Sequence, residues 1–327
     1  MALILVTGGA GFIGSHLCTA LLARGDAVRV LDDLSTGRRE NVPPRVELVV
    51  GDVADAATVR AAAAGVDAVV HLAAIASVQR CTEDWLGAHR VNLGGTIAVF
   101  DAARDPCGRG PVPVVYASSA AVYGEQARLP ISEDAPCQPL SAYGADKFGS
   151  ELHARVAGAV YGVPTLGLRF FNVYGPRQDP HSPYSGVISV FCGRIARGEP
   201  IVINGDGGQT RDFVFVADIV AGILAGLERA STAAPVLNLC SGHATSVREL
   251  VDTLRTVTAT ETPVLHGPPR PGEIRHSLGD RSRSVATLAL PPPTPLAEGL
   301  ASVLAWLAAE REAAAAGARA DLSPAVA

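Results

Sequence analysis

The chain has 327 residues, 48% of them hydrophobic, with 27 basic and 32 acidic side chains and a net charge of −5. That length and apolar content can bury a sizeable core, as one large domain with an added lobe or as two domains. No lysine- or arginine-rich run accompanies the acidic balance, which argues against nucleic acid, and six cysteines scattered from 18 to 240 with no CxxC pair or Cys/His cluster argue against a zinc site, any other metal centre or a disulfide framework. The opening MALILVTGG carries no basic leader or small-residue cleavage site, and its apolar run is too short to cross a membrane. A cytoplasmic protein with reduced thiols and no membrane partner is expected.

In chain order, LILVT (3–7), AVRVLD (27–32), VELVV (46–50), DAVVHLAA (67–74), VPVVYASS (112–119) and PTLGLRF (164–170) are near-continuous apolar runs. Such runs suit strands buried on both faces of a parallel sheet. Amphipathic or alanine-rich stretches such as GSHLCTALLARG lie between them, so the fold class is α/β, a doubly wound parallel sheet. After residue 172 the texture changes. Residues 173–186 and 263–275 are dense in Pro, Gly and Arg and read as loops shaped around a ligand. DFVFVADIVAGILAGLE and PVLNLCSG read as a strand, a helix and a further strand returning to the main sheet.

VTGGAGFIGSHL follows the first strand and opens the first helix. Gly8, Gly11 and Gly14 permit a tight turn, close approach to a pyrophosphate and tight helix–strand packing, and the helix N-terminus offers free N–H groups to phosphate. The second strand ends in Asp32, eighteen residues beyond Gly14, where a carboxylate accepts both ribose hydroxyls of NAD and repels a 2′-phosphate. Arg38 and Arg39 follow closely and blur that preference. Asp52, after the third strand, is placed either at an adenine edge or as a simple turn carboxylate.

SAYGADKFGS contains the only lysine in the chain. Tyr143 and Lys147 are spaced i, i+4 and share a helix face. To act as a base near neutrality a tyrosine must become roughly three pH units more acidic, about 4 kcal/mol. A nearby ammonium favours the phenolate, and the positive nicotinamide ring adds to it. A compact ammonium reaches both the phenolate and the nicotinamide ribose, which a guanidinium does not replace. Ser119, at the carboxyl end of the fifth strand, is the candidate to orient the reacting hydroxyl, with Ser118 the competing choice.

With TGGAGFIG, GDV, HLAA, SSAAVYG, YGADK and RFFNVYGPRQDP in order, the chain resembles the extended short-chain dehydrogenase/reductase (Rossmann) family, and more narrowly NAD-dependent nucleotide-sugar epimerases of the UDP-glucose 4-epimerase type, from residue 3 to about 310. The resemblance implies a catalytic set of Tyr143, Lys147 and Ser119, and a tightly held NAD that oxidises C4 of the sugar and returns the hydride to the other face. It extends the cofactor contacts to Phe12, Ile13, Ser35, Thr36, Val53, Leu72, Ala73, Ala74, Asn92 and Phe170. For the UDP-sugar it implies Ser77, Ser119, Asn172, Val187, Asn204, Arg211, Arg270, Glu273 and Ser277. Asn172, Arg211 and Arg270 would meet the diphosphate, Glu273 the uridine ribose, Val187 and Asn204 the uracil. Ser277 stands where a bulky tyrosine elsewhere excludes acetamido sugars, so the N-acetylhexosamine pair also has room.

Three alternatives stand beside this reading. A 4,6-dehydratase needs carboxylic acids next to the serine, where this chain has Ala120 and Ala121. A glucuronate 4-epimerase or decarboxylase needs a cationic reader, where Asp179 would repel the sugar carboxylate. A non-catalytic NAD-binding regulator has no reason to keep both Tyr143 and Lys147. The expected division is 1–172 as the dinucleotide-binding domain with 209–243 returning to it, 173–208 and 244–311 as the substrate-binding lobe, and 312–327 as a flexible tail. A homodimer is implied, with 83–103 and 145–160 as its candidate helices.

Overall fold

A computed structural model describes residues 1–180, 186–269 and 274–321. Six apolar runs form parallel strands β1 (Leu3–Thr7), β2 (Ala27–Asp32), β3 (Glu47–Val50), β4 (Ala68–His71), β5 (Val114–Ser119) and β6 (Thr165–Phe170). Between them run α1 (Phe12–Arg24), α2 (Ala56–Ala63), α3 (Val78–Glu83), α4 (Trp85–His89), a π-turn (Arg90–Gly94), α5 (Gly95–Ala102) and α6 (Ala142–Tyr161). There follow β7 (Asn172–Tyr174), α7 (Val187–Ala196), β8 (Ile201–Asn204), β9 (Thr210–Phe215), α8 (Val216–Gly226) and β10 (Val236–Leu239). The chain ends with β11 (Ala244–Ser246), α9 (Val247–Thr258), β12 (Val264–Gly267), α10 (Ser282–Leu288) and α11 (Leu296–Asp321).

The main sheet has seven strands in the order β10-β6-β5-β4-β1-β2-β3, every pair parallel. Alternation along each strand feeds two cores. Ile4 and Val6 point to the side covered by Leu17 and Leu21 of α1 and Ile219 and Ile223 of α8. Leu5 points to the side covered by Val59 of α2, Phe100 of α5 and Ala154 of α6. The strand order reverses at β1, between β2 and β4, and such a reversal opens a crevice beyond the carboxyl ends of the strands.

A third core, with Phe191, Ile201, Ile203, Leu250, Leu254, Leu300 and Val303, underlies the lobe, where β12 pairs with β8. Two readings of the sequence are corrected here. α8 and β10 return to the main structure, but β9 lies in a separate sheet with β7 and β11, because its Asn172↔Phe213 and Arg211↔Thr245 registers take it there. The second bears on the expected division: the alanine-rich end, read as a frayed helix leading into a flexible tail from 312, carries its helix as far as Asp321, in keeping with the high helix propensity of its alanines.

Candidate active site

Beyond the strand ends lies a cavity of about 560 Å3. Its dinucleotide end is set by close backbone approach. Gly8 has φ 73°, and a Cβ there would sit 2.7 Å from the Ala73 nitrogen, while one on Gly14 would sit 2.2 Å from the Gly8 oxygen. The turn leads directly into the N-terminus of α1, with Gly11, Phe12 and Ile13 on the wall. Asp32 is buried, accepts the Ala10 and Leu34 N–H groups at 3.0 and 2.9 Å, and burial pushes its carboxyl above the usual range. Each oxygen keeps a lone pair for a ribose hydroxyl. Ser35, Thr36, Asp52 and Val53 complete this end. Asp52 accepts from Ala54 N–H and Arg90, as well as lining the cavity, so turn and wall roles coexist. Arg38 and Arg39 are exposed and do not line the cavity.

The floor is Leu72, Ala73 and Ala74. Thr7 Oγ1 accepts the Leu72 and Ala73 N–H groups and pairs with His71, whose other ring nitrogen meets Thr96; burial pushes His71 down to about 3, so the ring is neutral. Asn92 does not line the cavity. Its amide pairs with both the N–H and the C=O of Ile75 and so shapes the floor.

At the far end, Ser141 caps α6 by accepting the Gly144 N–H at 3.0 Å. Gly144 lets the helix approach the loop after β5, since a Cβ there would lie 2.5 Å from the Ala121 oxygen. This places Tyr143 against Ser119, whose hydroxyl favours the phenolate. Ser118 instead donates to Glu151 at 2.6 Å, so the choice between the two serines falls on Ser119. Lys147 is buried, donates to the Ala117 carbonyl at 2.9 Å, and holds its ammonium 5.8 Å from the Tyr143 ring centroid.

One electrostatic expectation is not met. Burial pushes Tyr143 up to about 12 against the Ser119 hydrogen bond, with no lowering from Lys147, whose ammonium is turned to the Ala117 carbonyl. Lys147 itself is pushed down to about 8 by burial, opposed by Asp146. Lowering the phenol therefore falls to a positive charge on the cavity side, where a nicotinamide ring would lie.

The cavity residues fit a dinucleotide along its whole length: backbone without Cβ atoms for a pyrophosphate, a buried carboxylate for a ribose, and Phe170 beside Tyr143 and Lys147. Asn172 lines the lobe side. Ser277 and Arg211 come together, because Ser277 N–H donates to the Thr210 carbonyl and Arg211 donates to the same oxygen. Val187 opens α7 and Asn204 closes β8, both outside the cavity wall. Ser77 also lies outside the wall, where its hydroxyl accepts the Arg80 N–H as the cap of α3. Arg270 and Glu273 lie outside the described residues.

Residues 4–240 match the model of the NAD dependent epimerase/dehydratase family. The UDP-glucose 4-epimerase of Mycolicibacterium smegmatis is 40% identical over 314 residues, 92% of this chain and 96% of that protein. The chain belongs to this epimerase/dehydratase family. Two solved structures are similar throughout. One is UDP-glucose 4-epimerase with UDP-glucose from Thermotoga maritima, at TM-score 0.90 and 32% identity, covering 94% of this chain and 99% of that one. The other is UDP-N-acetylglucosamine 4-epimerase from Methanobrevibacter ruminantium in complex with UDP-N-acetylmuramic acid, at TM-score 0.89 and 33% identity with the same coverage.

Among the wall residues that sequence reading missed are Ile75, Arg80 and Gln178. Arg80 had a signal, since it lies three places after the Ser77 cap, within the first turn of α3. Gln178 and Ile75 had none, because their positions follow from loop hydrogen bonds to Ser189 and Asn92.

Proposed function

We propose that this enzyme is a UDP-sugar 4-epimerase that interconverts UDP-glucose and UDP-galactose with NAD as resident cofactor, and has room for the N-acetylhexosamine pair at Ser277. The observation that carries the reading is the Ser119–Tyr143–Lys147 group at one end of a cavity whose other end is a dinucleotide turn. NAD, when bound, supplies the reversible hydride exchange at C4. Ser119 holds the C4 hydroxyl beside Tyr143. The Tyr143 oxygen takes the hydroxyl proton as the 4-keto sugar forms and returns it when C4 is reduced on the other face. Lys147 supplies the ammonium next to the phenol and holds the nicotinamide ribose. Asn172, Arg211 and Arg270 take the diphosphate, for which bidentate guanidinium contacts are well suited. Glu273 takes the uridine ribose, and Val187 and Asn204 frame the uracil.

The unit is a homodimer in this reading. Trp85 and Leu86 of α4 are 70% and 79% exposed, and Ile97 of α5 with Leu152, Val156 and Val160 of α6 extend the same apolar face. Six free cysteines support a reducing compartment, the cytoplasm, and no described helix is long and apolar enough to cross a membrane.

The test is incubation of the purified protein with UDP-glucose, UDP-galactose, UDP-N-acetylglucosamine and UDP-glucuronate without added NAD, reading C4 configuration by NMR. Conversion of UDP-galactose to UDP-glucose is expected. Conversion of UDP-glucuronate alone would replace the proposed substrate.

A further inference from the structure

The roles above leave a buried carboxylate next to Lys147 unused. Asp146 is 4% exposed and does not line the cavity. Its Oδ1 lies 2.7 Å from Nδ1 of His89, a half-exposed residue at the end of α4. Its Oδ2 is buried with no hydrogen-bond partner. A half-satisfied buried carboxylate is costly, and a serine or alanine at this position would avoid the cost.

The compensation lies in the neighbouring charge. Lys147 is taken out of water with its ammonium donating to the Ala117 carbonyl, and Asp146, the next residue along the helix, is the foremost group opposing the discharge that burial favours. The other titratable groups facing this pair are Cys81 and Arg80 from α3, His71 from β4 and Tyr143 from α6. Burial keeps Cys81, His71 and Tyr143 uncharged near neutrality, and Arg80 is a cation, so none of them supplies the negative field that Asp146 does.

We propose that Asp146 is a positioning residue whose carboxylate, oriented by His89 from the outer side of α6, keeps Lys147 an ammonium inside the closed site. The proposal deepens the epimerase reading and rests on it only for the consequence in turnover. The surface imidazole, the buried carboxylate and the active-site amine then form one electrostatic unit across the helix.

A single lysine makes the test direct, because lysine labelled with 13C at Cε reports one side chain in the protein as purified. The Cε shift is followed against pH in the wild type and in Asp146→Asn, Asp146→Glu and His89→Gln. Asp146→Asn, which keeps the shape, is expected to lower the Lys147 midpoint by about one pH unit. The alkaline limb of the kcat profile moves down with it. His89→Gln produces a smaller shift in the same direction, and Asp146→Glu returns the midpoint toward that of the wild type. A fall in kcat with an unmoved midpoint overturns the proposal, since a purely structural role would give that result. Should Asp146→Asn not fold, His89→Gln decides, and an unmoved midpoint there is the overturning result. The titration needs no turnover, so it stands apart from whether the protein converts UDP-galactose to UDP-glucose, the result on which the functional reading depends.

Discussion

Tyr143 is a phenol that burial makes less acidic, next to an ammonium that burial makes less stable. Replacing Tyr143 with Phe removes the proton acceptor and leaves the packing intact, so kcat is expected to fall by about 10^2 to 10^4. Nicotinamide absorbance of the purified variant should stay near the wild-type level. Lys147 carries a stability cost with a defined sign. Its amine is depressed from 10.5 to about 8 in the folded chain, so burial penalises the folded state fully below about 8. The penalty fades as pH rises toward 10.5, where the unfolded chain also loses the proton. Measured against Asp146→Asn, which leaves no carboxylate stranded, the double variant that adds Lys147→Met is therefore expected to be more stable at pH 7 by a few kcal/mol at most, with the difference vanishing near pH 11. Urea unfolding at the two pH values checks this. Tyr143, Lys147 and Ser119 could be read from the sequence because helix spacing and a strand end place them without knowledge of the rest of the fold. The roles of Asn92 and Ser77 could not, since whether an amide or hydroxyl faces a ligand or its own loop is decided by three-dimensional hydrogen bonding.

At the scale of elements, the first turn of α1 and the start of α6 carry the site. Gly14→Ala would put a methyl 2.2 Å from the Gly8 oxygen, which the turn can relieve only by moving the backbone that cradles the pyrophosphate. The purified variant is expected to lose bound dinucleotide while keeping its far-UV circular dichroism, and retention of a full complement would contradict the role given to the turn. Ser141→Ala removes the cap of the helix that presents Tyr143, and should cost about 1 kcal/mol in urea unfolding. The strands of the main sheet were legible because runs of Val and Leu buried on both faces are a parallel-sheet pattern. β9 was assigned to the wrong sheet for a physical reason. DFVFV is as apolar as a central strand, and its composition says nothing about which edge it will pair with.

Across the whole molecule, the main structure is tied together behind the active site by a buried polar network. Arg169 of β6 meets both oxygens of Glu151 of α6, at 2.8 and 2.7 Å, and donates to Tyr123, whose hydroxyl donates to Asn238 of β10. Ser118 is held by the same Glu151. Removing one partner strands the other in the core, so Glu151→Ala should cost about 3–5 kcal/mol, measured by chemical denaturation. No pattern in the sequence revealed this network, since its members are spread over β5, β6, α6, β10 and the segment after β5. The exposed apolar residues of α4, α5 and α6 belong to the same scale: if the proposed homodimer forms through them, Trp85→Glu is expected to convert it to a monomer in analytical ultracentrifugation.

The solitary amine also makes the intact fold resistant to an endoproteinase that cleaves only after lysine. Such a protease has one target in the chain, the bond between Lys147 and Phe148, and Lys147 is 2% exposed within α6. Digestion therefore waits for the helix bearing Tyr143 to open, and yields two fragments when it does. The rate of that one cut measures how often the active-site helix unravels, and any ligand that seals the crevice should slow it.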